Sequence, residues 1–143
     1  MSFWKRLFGR GRADLRPQRL DYLNEALALE RQGDYDAALT SYRLALRDDP
    51  ADLRVLQNMA IAYTKTNRIE EAIRTYRRAL EIDRTLPGAH YGVAFLLLKR
   101  GDHGAAVEHL RAFLARPPRG TDAQRWVAHA ESALRDVEQG GTA

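Results

Sequence analysis

An all-α solenoid of paired helices is the fold this sequence predicts, on three observations. Residues of one kind return every 34 positions: Ala26, Ala60 and Ala94; Ala38, Ala72 and Ala106; Leu46, Leu80 and Leu114; and, at a turn, Gly33, Asn67 and Gly101. Between those marks the apolar residues fall at helical rather than strand spacing, as in Tyr22, Ala26 and Leu29. The composition is that of a globular chain, with 45% hydrophobic and 29% charged residues and no cysteine. A fixed step of this length marks units that bury their apolar faces only against neighbours, which points to an extended binding surface rather than a catalytic pocket.

The elements follow in order. Residues 1–18 form a basic arm interrupted by Gly9, Gly11 and Pro17. Three repeats are expected at 19–52, 53–86 and 87–120, each with two helices about its central turn. In the first, Gly33 supplies a turn that tolerates positive φ and Asp34 caps the next helix. Ala38, Leu39, Tyr42, Ala45 and Leu46 then make a buried stripe, and Asp48-Asp49-Pro50 ends the helix. A cap helix is expected within 121–138, followed by a disordered tail at 139–143. Small residues at 26, 60 and 94 let paired helices approach closely, while Tyr42 and Tyr76 fill the space between units.

Charge is unevenly placed. Residues 1–19 hold six basic residues against Asp14, a net +5 in a chain of net +4, so the remainder is close to neutral. A nucleic-acid-binding solenoid would carry its basic residues along the body, so this distribution argues against nucleic acid as a partner. No apolar run approaches the roughly 20 residues that span a bilayer. The arm is not a secretory signal either, because its apolar core is too short. His90, His103, His109 and His129 make no metal-ligand spacing, and no phosphate loop, nucleophile elbow or catalytic carboxylate pair appears. No metal, no cofactor and no enzymatic activity are expected. Abundant Ala and Arg with few Lys point to a GC-rich bacterial source.

These residues resemble the tetratricopeptide repeat (TPR), whose pattern is W-x2-L-G-x2-Y, then A-x3-F, A and P. The tryptophan position is held by Tyr22, Leu56 and His90, and the tyrosine position by Leu29, Tyr63 and Leu97. The second half matches more closely, with Ala38 and Tyr42, Ala72 and Tyr76, Ala106 and Leu110. Gln32 to Ala38 reads very like the consensus. Departures are Glu25 at a usually apolar position, Arg84 in place of the terminal proline of repeat two, and Phe113 where the other copies have Ala45 and Ala79. Arg84 should displace the turn towards Pro87. Phe113 should push the cap helix outward or receive Trp126 or Val127.

The resemblance implies a right-handed helix–turn–helix solenoid in which the first helix of each repeat lines a concave groove. The side chains facing that groove would be Leu20, Leu23, Asn24, Leu27 and Arg31; Arg54, Gln57, Asn58, Ile61 and Lys65; and Gly88, Tyr91, Gly92, Phe95 and Lys99, with Arg125 and His129 of the cap extending the series. TPR modules that clamp a chaperone's terminal carboxylate need lysine, asparagine and arginine at five of these places, and only Asn58 matches. A carboxylate buried there would lack its charge-assisted donors, so that use is rejected. What remains is an apolar strip of Leu23, Leu27, Ile61, Tyr91 and Phe95, flanked by Arg31, Lys65 and Lys99. It suits a protein or peptide partner, presented as an amphipathic helix or an extended segment with apolar anchors and some acidic character. Gly88 and Gly92 bare the backbone beside Tyr91 for a bulky anchor, and Asn58 is placed to hold a backbone amide.

Phe3, Trp4, Leu7 and Phe8 fall within one helical arc, opposite Lys5 and Arg6. Aromatics on one side and basic residues on the other is the composition of an interfacial membrane helix, although two turns alone bind weakly. The same residues could instead dock into a groove of this chain or of a second copy. The expected function is therefore a non-catalytic adaptor that binds a partner in its groove, cytoplasmic, with the arm peripheral on the anionic inner face of a membrane. The competing expectation is a structural subunit or homo-oligomer assembled by docking the arm.

Overall fold

The structure is a computed structural model and describes residues 21–140. The arm, with Phe3, Trp4, Lys5, Arg6, Leu7 and Phe8, lies outside the described residues, as does the tail from 141 onwards. The described chain is helical throughout: α1 (Tyr22–Arg31), α2 (Tyr35–Asp48), α3 (Leu53–Lys65), α4 (Ile69–Ile82), α5 (Pro87–Arg100), α6 (His103–Ala115) and α7 (Ala123–Gly140). Helices pair as α1 with α2, α3 with α4 and α5 with α6, and each pair packs on the next through α2 with α3 and α4 with α5. The first helices α3 and α5 also touch, and α7 closes the stack on α6. This is the all-α solenoid of paired helices that the 34-residue step predicts.

The turns explain why the chain reverses where it does. Each first helix ends in the same backbone bond: Asp34 N–H to the Leu29 carbonyl at 2.9 Å, Arg68 to Tyr63 at 2.8 Å, and Asp102 to Leu97 at 2.9 Å. Such six-to-one closures need a left-handed residue inside them. Gly33 and Gly101 supply it with φ of 80° and 91°, and Asn67 does so with φ of 60°, the one non-glycine residue with positive φ among those described. Asp34 then caps α2 by accepting from Ala37 N–H at 3.2 Å, and Asp52 caps α3 through Arg54 and Val55. Asp102 makes no such bond; its carboxylate turns back to Arg100.

The alanine columns are the floor of the packing. Ala26, Ala60, Ala94, Ala38, Ala72 and Ala106 are all 0% exposed, leaving no room for a longer side chain where helices cross. Tyr42, Leu39, Ile73 and Leu97 fill the main core between them. Ion pairs stitch neighbouring pairs on the surface: Arg68 to Asp36 at 2.7 Å and Arg100 to Glu70 at 2.9 Å, the two acids standing one repeat step apart. Exposed pairs of this kind contribute well under about 1 kcal/mol each.

Two boundaries differ from the sequence expectation. The last helix runs from Ala123 to Gly140, not 121 to 138, so Gln139 and Gly140 are helical rather than part of a tail. Its start is delayed because Gly120 takes φ of 127° and accepts from Ala123 N–H, which makes Thr121 and Asp122 a turn. Where Arg84 stands for proline, α4 ends at Ile82 and Asp83 organises the turn by accepting from the Thr85 backbone at 3.0 Å and hydroxyl at 2.8 Å. Those bonds hold the Asp83 carboxyl below its ordinary value. Pro87 then opens α5 at its first turn, where a missing N–H costs nothing.

Candidate functional site

Phe113 sets the local geometry. It is 2% exposed and packs in a second, smaller cluster with Ala94, Leu110 and Ala130, against which Tyr91, Phe95 and Val127 also lie. Two smaller alanines, Ala45 and Ala79, occupy the corresponding places in the earlier repeats. Tyr91 meets the Phe113 ring at 5.2 Å between centroids and turns its other sides to Phe95 at 4.7 Å and Trp126 at 5.2 Å. The Trp126 contact is edge-to-face, at 82°. Such arrangements are favoured by the ring quadrupoles.

Around this cluster lies an open cavity of about 640 Å³, almost wholly apolar. Its walls are Ile61, Thr64 and Lys65 from α3; Gly88, Tyr91, Gly92, Phe95, Leu96 and Lys99 from α5; Tyr76, Phe113, Pro118 and, from α7, Trp126. Ile61 and Trp126 remain 39% and 40% exposed, unusual for large apolar side chains and consistent with an unfilled binding surface. The cations stand at the C-terminal ends of their helices, where helix dipoles favour positive charge. Lys99 donates to Asn67 at 2.9 Å, and the Lys65 ammonium lies 6.0 Å from the centre of the Tyr35 ring.

The structure brings Ile61, Lys65, Tyr91, Phe95 and Lys99 of the expected strip to this one cavity. Leu27, Arg31 and Asn58 lie outside its lining, with Leu27 half-buried against the main core. Leu23 corrects the sequence reading: it is 8% exposed and belongs to the core. Leu23 and Ala26 are the buried residues of α1.

The two glycines also behave differently from expectation. A Cβ at Gly92 would collide with the Tyr76 ring, and one at Gly88 would stand 2.6 Å from the Gln57 side-chain oxygen. The space beside Tyr91 is therefore taken from within by Tyr76, whose phenol is pushed up to about 12 by burial. Thr64, Tyr76, Leu96, Phe113, Pro118 and Trp126 join the lining from outside the expected series. The step that carries Tyr91 and Phe95 to Arg125 and His129 also carries Gly92 to Trp126, the residue of α7 that lines the cavity.

The histidines divide. His129 has its Nδ1 2.5 Å from the Tyr91 hydroxyl. Burial raises the Tyr91 phenol, while Arg125 opposes that rise. His90 and His109 join α5 to α6 through their Nδ1 atoms at 3.0 Å, and His90 Nε2 meets the Arg84 carbonyl at 2.7 Å. No group of three or more metal-ligating side chains occurs among the described residues, and no described helix is long and apolar enough to cross a membrane.

Comparison with known proteins gives the following. Family models for the tetratricopeptide repeat match residues 29–94 and 94–140. The chain is 33% identical over 115 residues to the photosystem I assembly protein Ycf3 of Parasynechococcus marenigrum, taking in 78% of this chain and 61% of that protein. It is 32% identical over 82 residues to a peroxisomal targeting signal receptor of Eremothecium gossypii, covering 57% of this chain and 14% of the receptor. The chain thus spans less than two thirds of the length of these relatives. Among solved structures, the Yersinia enterocolitica type III secretion chaperone SycD, in complex with a peptide of the translocator YopD, superposes with a TM-score of 0.78 at 17% identity, over 84% of this chain and 92% of that one. PcrH in complex with the chaperone-binding region of PopD gives 0.73 at 20% identity, over 87% and 96%. At such identities the likeness is one of fold.

Proposed function

The chain belongs to the tetratricopeptide-repeat family, and on that footing we propose that it is a non-catalytic protein–protein interaction adaptor that receives a peptide or helix of its partner in the groove lined by α3, α5 and α7. The observation that carries this reading is the apolar cavity around Tyr91, with Ile61 and Trp126 left open to solvent beside it. Support of a coarser kind comes from what its relatives are named for: one is an assembly protein, and one structural neighbour holds a peptide of another protein.

The test is capture of partner proteins from lysate by the full chain and by Ile61→Asp and Phe95→Ala variants, with helicity followed by circular dichroism. The reading expects both variants to lose the same captured protein while remaining helical. Undiminished capture by both would move the site elsewhere.

The arm extends the proposal: its aromatic and basic residues would touch an anionic membrane surface on the cytoplasmic side while the groove holds a partner. Removing residues 1–13 should abolish flotation with anionic liposomes, and equal flotation of both chains would end the membrane idea. A mass that rises with concentration only when the arm is present would instead favour assembly by arm docking.

A further inference from the structure

The cavity constrains what enters it beyond its being apolar. We infer that the incoming segment is an α-helix that inserts at least two bulky apolar side chains one turn apart and sets carboxylates along the edge held by Lys65 and Lys99. This rests on the groove reading above and adds the partner's conformation and charge.

Size comes first. About 640 Å³ falls within the range of roughly 300–1,000 Å³ usual for ligand pockets, and is far more than one side chain displaces. Side chains at i and i+4 of a helix lie on one face and would enter together. An extended strand also returns a side chain to one face every second residue, about 6.7 Å on, so it too would bring two here, but with its backbone lying alongside.

That backbone is the second argument. A peptide strand seated against this surface must find partners for its amide and carbonyl groups, because leaving them dry is costly. Few groups at the cavity could serve that backbone: the Thr64 hydroxyl donates to the Ala60 carbonyl at 2.8 Å and the Tyr91 hydroxyl meets His129, while the ammonium groups of Lys65 and Lys99 offer donors only. Asn58, the amide that could have read a backbone, lies outside the lining. A helix brings its hydrogen bonds closed within itself, so an apolar wall suits it.

Charge is the third. No acidic residue lines the cavity, while Lys65 and Lys99 stand one repeat step apart on α3 and α5, both exposed. With Arg31 they form a row of cations 34 residues apart. Carboxylates on the flank of the helix would complement that row and steer its approach. The same row disfavours the chain's own arm: residues 1–19 offer aromatics but carry +5. The partner is a helix of opposite character.

The probe is a designed peptide of about 18 residues, long enough for partial helicity. It has an alanine background, leucines at i and i+4, and glutamates along one flank. Binding to the full chain is read from Trp126 emission in a Trp4→Phe background. The parent peptide should bind, and a version with proline between the leucines should bind at least about tenfold more weakly. A lysine-flanked version should also fail on the native chain, yet gain affinity for a Lys65→Glu, Lys99→Glu double variant, whose surface changes leave the core untouched.

Equal binding of the proline and parent peptides would overturn the helix inference while leaving the groove as a peptide site. So would indifference to flank charge. Binding of dodecanoate with no response to any peptide would assign the cavity to a free amphiphile and overturn the inference as well. Failure of the groove reading looks different: no probe would respond, and the Ile61→Asp chain would still capture its protein from lysate.

Discussion

The His129 imidazole lies flat on the Phe95 ring, with centroids 4.3 Å apart and planes 2° from parallel. The two residues are one repeat step apart, as Phe95 is from Ile61. Helix α7 therefore sets against α5 the residue that a further first helix would set there. It supplies a wall of the cavity through Trp126 besides closing the stack.

Replacing His129 by alanine should remove both the stack and the partner of the Tyr91 hydroxyl, at a cost of about 1 kcal/mol. Trp126, beside Tyr91, should shift its emission to the red as water reaches it. His129→Phe restores the stacked ring and should recover the emission maximum. Chemical denaturation and fluorescence of the three chains, each carrying Trp4→Phe, check this.

Acid should loosen the third helix pair. His109 resists protonation because it is half-buried, and because His90 and Arg77 lie near; Glu108 opposes them weakly. His90 Nε2, facing the Arg84 carbonyl, carries a proton, so in neutral His90 the Nδ1 is bare and accepts from His109. A folded imidazole held below its ordinary value of 6.5 binds fewer protons than the unfolded chain does. Its stability contribution is therefore complete above that value and is lost as pH falls below it. Melting temperatures from pH 8 to 5 should drop more steeply for the native chain than for His109→Gln.

Glycine substitutions should separate by what a Cβ would meet. Gly92→Ala drives Tyr76 from its place and should cost about 1–3 kcal/mol while reshaping the cavity. Gly104→Ala meets nothing within 4 Å in the first turn of α6 and should stabilise by about 0.5 kcal/mol. Urea denaturation of both variants measures the contrast.

Asn67 holds a left-handed conformation that asparagine tolerates and alanine resists. Asn67→Ala should cost about 1 kcal/mol, whereas Asn67→Gly should stay within a few tenths, since glycine already fills that place at Gly33 and Gly101. Equal losses would mean that the Lys99 bond, not the backbone, is what Asn67 contributes.

The repeat, its turns and its alanine floor were legible because each is a local requirement written three times. A left-handed residue must stand at 33, 67 and 101 for the chain to reverse, and nothing longer than alanine fits where helices cross. The strip around Ile61, Tyr91 and Phe95 was legible for the same reason, since Ile61 and Phe95 stand one step apart and Tyr91 lies one helical turn before Phe95. Leu23 was not, because it stands at the phase of Tyr91, two steps back, yet is buried in the core. The walls from Phe113, Tyr76 and Trp126 were also decided in three dimensions. A single enlarged residue on α6 meets the Tyr91 ring, which in turn meets Trp126 of α7, and a missing side chain at Gly92 is filled by Tyr76 of another helix. Periodicity determines which face a residue takes; only packing between helices distant in sequence determines whether that face is filled or left open.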